Sequence, residues 1–528
     1  MSRLPRLWSG DRVGDAVLIP VLGIAQAVAM GIGAFATRDA FTALHGGGPP
    51  TDGTLATLIL AGLATAGFAL LAGIRSEALG QSVAREMRVV LYDHLAGMSR
   101  RDVEARRLGA LSLRFVGDLS AVRLWYGRGL PRVASALVVL PGAGLVLWLL
   151  EPQIAGAAIP PVALSLVVML VAAVGLQARH RRLRSRRAGI SIAMMERIAV
   201  SPELDLMGRT GFELKRLEED GATLRRNAVS RRWQQEALRM IPQGGAAVAG
   251  AAVLWMAGMQ QIAPGTAAAG LSVLAILILP LRELADAWDQ YCAWRIAREK
   301  ALNLLAKPSV RRSARHRGHP VRLRATGMLE GRPLDVEIVA GTAARMARRA
   351  GVAHLAAAFA GLDPDPALHI RYDGRTTLPR VAHIGDRPVV LQGTLHRALT
   401  LGLAPRPGRK ETAKVARAFG LAPLLKRTGG LKGKVAEAGR DVTVAESLRL
   451  DLARAMLAEP DVVVIDSARF DADPERGALL TRLRARTEAT VLVVGPAAEG
   501  FVFDREIDLK LNEATPSPAV ADSAAASF

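Results

Sequence analysis

Six apolar runs, each long enough to cross a bilayer, occupy residues 16–36, 54–74, 133–150, 154–176, 241–259 and 266–286 of this 528-residue chain. A helix crosses the hydrocarbon core with about 20 apolar residues. A lone strand in lipid leaves its N–H and C=O groups unpaired, so each run is helical by necessity. Glu151-Pro152-Gln153 breaks what would otherwise be one long run into the third and fourth spans. The first run has no small-residue cleavage site at the expected place, so it reads as a retained span and not a signal peptide.

Charge sets the expected topology. The net charge is +21, almost all of it from arginine. The arginines flank the apolar runs and are not interleaved with aromatics, so no nucleic-acid partner is expected and the bilayer is the first partner. Ten arginines fall between Arg75 and Arg128, and six more between Arg179 and Arg187. The loop 37–53 carries only Arg38, and neither the turn at Glu151 nor the loop 260–265 carries any positive charge. Both termini are therefore expected in the cytoplasm, with the chain in a bacterial inner (plasma) membrane. The single cysteine, Cys292, excludes an intrachain disulfide. The basic connections 79–108 and 190–240 show helical spacing. They either carry the spans into the cytoplasm or lie as amphipathic helices on the surface.

After residue 306 the chemistry changes. Residues 307–320 form a basic linker, and from Val321 short β-like runs alternate with helical segments, which is the order of an α/β domain. Val462–Ile465 and Val491–Val494 suit buried parallel strands. Residues 512–528, rich in Ala, Ser and Pro, are expected to be a disordered tail. Within this frame, 384–394 (IGDRPVVLQGT), 438–457 (AGRDVTVAESLRLDLARAML) and 462–474 (VVVIDSARFDADP) resemble, in order, the Q-loop, signature and Walker B regions of ABC exporters. Segments 109–118 and 203–216 resemble that family's two cytoplasmic coupling segments, with Asp118, Gly208 and Arg209 among their residues. The chain thus resembles an ABC exporter half-transporter of the type I fold. The resemblance implies a membrane all-α six-helix domain (1–306) and a cytoplasmic α/β, P-loop-NTPase-like ABC domain (321–511).

It also shows what is missing. A phosphate-binding loop needs a cradle of N–H groups, a Lys for the phosphates and a Ser or Thr for magnesium. In 344–355 (ARMARRAGVAHL), Gly351 matches the family glycine, but Val352 stands for the Lys, and Ala353 and His354 for the magnesium ligands. Arg348 and Arg349 remain as groups that could attract an anion. Asp466 matches the Walker B carboxylate, though a strand-end Asp can equally cap the next turn. Ser467 replaces the general base, Asp386 the glutamine, Pro496 the switch histidine, and Val442–Glu446 (VTVAE) the LSGGQ signature. Gly351 and Asp466 are therefore vestigial nucleotide-site residues, and the domain is expected to be a pseudo-ATPase, inactive on its own. No cofactor is expected, ATP and magnesium being bound, if at all, mainly by a partner chain. No catalytic set and no metal-ligand spacing stands out.

In the sixth span Arg282, Glu283, Asp286 and Trp288 follow Pro280. They read as the wall of a translocation cavity or as ordinary charge at headgroup level. The family implies a dimer, so the leading expectation is a transporter subunit paired with a second ABC half-transporter, identical or different. The rival is a non-transporting scaffold or regulator. The topology makes a direct prediction. Cysteines introduced near Gly46 and Ala263 should react with an impermeant thiol reagent in intact cells, and those near Arg106, Arg209 and Ser523 should not. Labelling at 209 but not at 46 would refute six spans.

Overall fold

The computed structural model describes residues 4–10, 12–106, 111–112, 114–174, 189–198, 200–309 and 316–509. The expected tail, the middle of the linker, the arginines from Arg179 to Arg187, and Gly109, Ala110 and Leu113 of the first coupling segment lie outside them. The chain divides into two compact units, one of residues 1–96 and 104–308, the other of 97–103 and 309–528.

The first unit is helical. Its helices are α1 (Arg12–His45), α2 (Asp52–Ala96), α4 (Arg114–Leu150), α5 (Pro152–Val174), α6 (189–198), α7 (Ser201–Leu206), α8 (Thr210–Met259) and α9 (Pro264–Leu305); the short α3 (Arg100–Glu104) intervenes in sequence. Six of them (α1, α2, α4, α5, α8 and α9) are long and apolar enough to span a membrane. Large apolar side chains such as Leu63, Leu70, Leu137 and Val171 stay exposed on their outer faces, as lipid requires. The interior is built on small residues: Ala34, Ala155, Ala158, Ala249 and Ala269 pack with Leu147, Ile154 and Val273. Lipid tails are as apolar as leucine, so helices in a bilayer associate through close packing and not through hydrophobic burial.

Helices α2 and α4 approach closely. A Cβ on Gly80 would fall 2.6 Å from the Arg123 carbonyl and 2.8 Å from the Gly127 Cα. The two backbones touch there. Helix α4 makes a π-helical turn at Trp125–Gly129 beside this crossing and another at Arg114–Asp118.

The helix expected over 79–108 ends early. Helix α2 stops at Ala96. Ser99 then opens α3: its Oγ accepts from the Asp102 N–H at 3.1 Å and donates to the Asp102 carboxylate at 3.0 Å. A local capping interaction of this kind is invisible to helical periodicity. The second long connection is likewise divided. Gly208, with φ of 65°, separates α7 from α8 in a left-handed conformation that glycine adopts without strain.

The second unit is α/β. A five-stranded parallel sheet runs β10-β3-β9-β8-β5, using β3 (Ala343–Met346), β5 (Val381–Gly385), β8 (Val462–Asp466), β9 (Thr490–Val494) and β10 (Arg505–Ile507). Beside it β1 (Leu323–Leu329), β2 (Arg332–Ile338) and β4 (Leu368–Tyr372) form an antiparallel sheet. Strands β6 (Gly393–Thr394) and β7 (Lys434–Val435) pair as a short ribbon. The helices are α10 (Val352–Phe359), α11 (Leu395–Leu399), α12 (Arg409–Ala418), α13 (Ala422–Arg427), α14 (Val444–Leu457), α15 (Ala468–Asp471) and α16 (Arg476–Arg484). Side chains alternate across each central strand. Val462, Val464, Leu492 and Val494 join Leu355 and Phe359 of α10 in one core. Val463, Ile465, Val491 and Val493 join Leu448, Leu452 and Phe419 in the other. Both faces are covered, which is why these strands read as unbroken apolar runs.

The backbone contact at Gly80 is a sharp target. Gly80→Leu should destabilise the membrane unit by about 1–3 kcal/mol, because backbone on the facing helix cannot yield. Gly73→Ala in the same helix, where no atom would approach the new Cβ within 4 Å, should leave stability unchanged. Survival of monodisperse protein after heating in detergent distinguishes the two.

Candidate functional site

In the second unit the chain passes from β3 through residues 347–351 into α10. Gly351 takes a left-handed φ of 76° and precedes the first helical residue. Val352 then points inward and is 1% exposed, so its side chain belongs to the core. Arg348, one of the two groups that could attract an anion, turns onto the chain's own carboxylates. Its Nη1 donates to Asp466 Oδ1 at 2.7 Å, and its Nε and Nη2 to Asp471 Oδ2 at 3.1 and 3.0 Å. Nη2 also donates to the Val494 carbonyl at 3.1 Å. Arg349 pairs with Asp508 at 3.0 Å. Burial is the larger influence on Asp471 and holds its carboxyl above the usual range, with Arg348 pulling the other way.

Among the described residues no backbone N–H of the turn after β8 donates to Asp466. The acceptor there is Asp386, whose Oδ1 accepts from the Ala468 N–H at 2.6 Å. Ser467 is fully buried, and its Oγ has no hydrogen-bond partner among the described residues. Pro496 is exposed just beyond β9. His354, one turn into α10, donates from Nε2 to Asp365 at 2.8 Å and accepts at Nδ1 from Arg101 at 3.0 Å. The Ala367 N–H, and then His354, hold the Asp365 carboxyl below the usual range. In the same unit burial, followed by Arg100, pushes His383 down to about 4, which keeps it neutral at physiological pH.

The segment 442–446 closes on itself. Thr443 caps α14 by accepting the Glu446 N–H at 3.2 Å, and Glu446 accepts the Thr443 N–H at 3.0 Å. This reciprocal pair is a capping box. Arg427 completes it, donating to the two Glu446 oxygens at 2.9 and 2.8 Å. The Arg427 bond is the main reason that the Glu446 carboxyl sits below its usual range. Behind it, Asp451 holds Arg469 at 2.9 Å and Arg454 at 3.2 Å, and burial raises its carboxyl above the ordinary range against their pull.

In the membrane unit, Glu283 lies 3.7 Å from Arg132 of α4, and Asp286 lies 2.5 Å from Arg239 of α8. Arg132 also reaches Asp286 at 3.7 Å. Trp288 donates its Nε1–H to the Ala173 carbonyl at 2.8 Å, and Arg282 is exposed. Periodicity alone missed an aromatic cluster here. Trp125 stacks on Trp294 at 5.7 Å, and Tyr126, Tyr291 and Trp288 join them. Five of the chain's eleven Trp and Tyr residues thus meet at one place. The spacing Trp288, Tyr291, Trp294 in a chain with 4% aromatic residues was the available signal. Of the coupling-segment residues, Asp118 pairs with Lys300 at 3.7 Å, and Arg209 lies over the Phe212 ring at 4.6 Å. Gly208 forms the tip between α7 and α8, where Leu206 is 89% and Met207 72% exposed.

Comparisons with known proteins agree with this architecture. The profile of the family described as ABC transporter transmembrane region matches residues 17–281. The chain is 20% identical over 459 residues to the uncharacterized ABC transporter ATP-binding protein YknV of Bacillus subtilis, covering 78% of this chain and 74% of that one. It is 26% identical over 133 residues to Antigen peptide transporter 2 of Rattus norvegicus, a match spanning 25% of this chain and only 19% of the relative. Among solved structures, a bacterial Atm1-family ABC exporter with ATP bound superposes with a TM-score of 0.76 at 17% identity, covering 92% of this chain and 90% of the other. At that identity the likeness is one of fold.

The capping box can be tested by itself. Thr443→Ala should cost the second unit about 1 kcal/mol, the usual value of a lost N-cap. Because the Glu446 pKa is depressed on folding, its contribution is present above the pKa of the unfolded chain. It should fade as pH falls through the lower, folded value. Acid titration of unfolding in wild type and Glu446→Gln should diverge at neutral pH and converge in acid.

Proposed function

The chain belongs to the ABC transporter transmembrane region family, and from that premise we propose that it is an exporter-type transporter subunit whose soluble domain docks and orients but does not turn over nucleotide. It would work in a bacterial inner membrane, with both termini in the cytoplasm, beside a second half-transporter. The observation that carries the nucleotide reading is the burial of Val352 in the core. At that point in the loop a phosphate site needs a long cation facing outward.

The cleft does not fit a magnesium nucleotide. Arg348 already holds Asp466, Ser467 has no basic group to offer an attacking water, and Pro496 supplies no polar side chain at the end of β9. At the other candidate surface the first turn of α14 is capped by Thr443 and carries the charge of Glu446. A carboxylate at a helix N-terminus opposes a second anion there. The apolar tip at Leu206 and Met207 supports a partner chain, since an exposed patch of that kind suits a protein surface. A second reading, a non-transporting scaffold, is favoured by the pairing of Glu283 and Asp286 with arginines of neighbouring helices.

The purified chain should neither hydrolyse MgATP nor bind it in calorimetry. Micromolar binding, or a hydrolysis lost in Asp466→Asn, would overturn the nucleotide reading. In a heterodimer with an intact partner, the partner's ATPase should be slow. The joint change Val442→Leu, Thr443→Ser, Val444→Gly, Ala445→Gly and Glu446→Gln should raise it, whereas Val352→Lys alone should do little. A wild-type heterodimer as fast as an intact homodimer would refute the idea of a brake.

A further inference from the structure

Arg348 joins parts of the second unit that are far apart in sequence. Its acceptors Asp466, Asp471 and Val494 lie 118, 123 and 146 residues away and belong to β8, α15 and β9. Asp466 and Asp471 converge on one part-buried cleft, with side chains 13% and 20% exposed. Two carboxylates so placed repel unless one keeps its proton or a cation lies between them. The remaining oxygen, Asp471 Oδ1, is buried and takes no hydrogen bond among the described residues. Room for it depends on Gly495, where a Cβ would sit 2.3 Å from that oxygen. The carboxylate is thus held in a part-buried place, where the Arg348 guanidinium, and after it Arg476, favours the charged form.

We propose that Arg348 is a tethered occupant of this cleft: its guanidinium takes the place between Asp466 and Asp471 that a bound cation would take, and holds the strand ends together without metal or nucleotide. The planar fork suits the task. It bridges two carboxylates and a carbonyl at once, which a lysine, as a point charge, does with less geometric control. The bonds are charge-assisted and correspondingly strong. On this account Asp466 has a present structural role, and the framework of the sheet does not depend on a ligand to keep its strand ends in place.

The full chain in lipid nanodiscs, followed by hydrogen exchange, tests this with metal alone as the probe. Amides in 466–472 and 492–495 should exchange at the same rate in the wild type with manganese chloride, with EDTA or with neither. Arg348→Ala should speed their exchange about tenfold, as loss of charge-assisted bonds in one cooperative segment would. Manganese should then slow it again, because the vacated carboxylates accept a divalent cation. Arg348→Lys should fall between. Unchanged exchange in Arg348→Ala, or wild-type protection that depends on manganese, would overturn the proposal. Should the alanine variant fail to fold, the lysine variant and the wild-type EDTA arm decide. The outcome does not depend on whether the chain transports or pairs, so it stands or falls separately from the functional reading.

Discussion

A backbone buried in lipid has no water to bond with, and every N–H and C=O must find its partner inside the same helix. That constraint fixes the six long helices of the first unit before any side-chain detail matters. It also decides how they pack. With no hydrophobic gain from leaving lipid, affinity must come from close approach. The interior alanines supply it, and beyond the apolar runs Gly80 and Gly127 let α2 and α4 meet backbone to backbone. The prolines at positions 20, 141, 160, 161, 242 and 280 lie inside helices, as membrane helices permit when neighbouring groups satisfy the freed carbonyls.

The second unit obeys a different rule with the same economy. Parallel strands covered on both faces must be apolar on both, and Val462–Ile465 and Val491–Val494 are. Alternation then does the rest. Val462 and Val464 face α10, so the next residue of that parity, Asp466, comes out at the strand end on the side of Arg348. The position of the carboxylate follows from the packing of the strand. It would be there whether or not any ligand used it. A sheet can therefore outlast the chemistry at its edge, which is why an intact core says nothing by itself about activity.

The six apolar runs were legible because lipid imposes a signal about 20 residues long that no local detail overrides. The parallel strands were legible for the same kind of reason. What could not be read was decided by single contacts. The start of α3 rests on one hydroxyl, Ser99, meeting Asp102. The aromatic cluster joins Trp125 to Trp294, residues brought together only when α4 meets α9. Arg348 was visible as a cation near Gly351, yet its partners lie more than a hundred residues further on. Charge invited the reading of an anion site, and topology supplied an internal anion instead. The residues proposed to line a cavity show the same lesson. Glu283 and Asp286 stand exposed in the sequence, but α4 and α8 bring arginines to them.

The two places where a nucleotide's phosphates would be met share one physical pattern on the proposed reading. At one, Arg348 lies between Asp466 and Asp471; at the other, Glu446 lies against Arg427 and closes the cap of α14. In each, a charge that an external ligand would have balanced is balanced from within the chain. Such a substitution changes what the fold needs. A site that relies on a ligand leaves its carboxylates and helix ends uncompensated when empty, whereas an internal partner is present at fixed, high effective concentration and costs no binding entropy at the moment of use. On the proposed reading, a domain built this way would keep one conformation whether or not nucleotide is near. That is the property expected of a docking half, and it is incompatible with a domain whose shape must follow a bound phosphate.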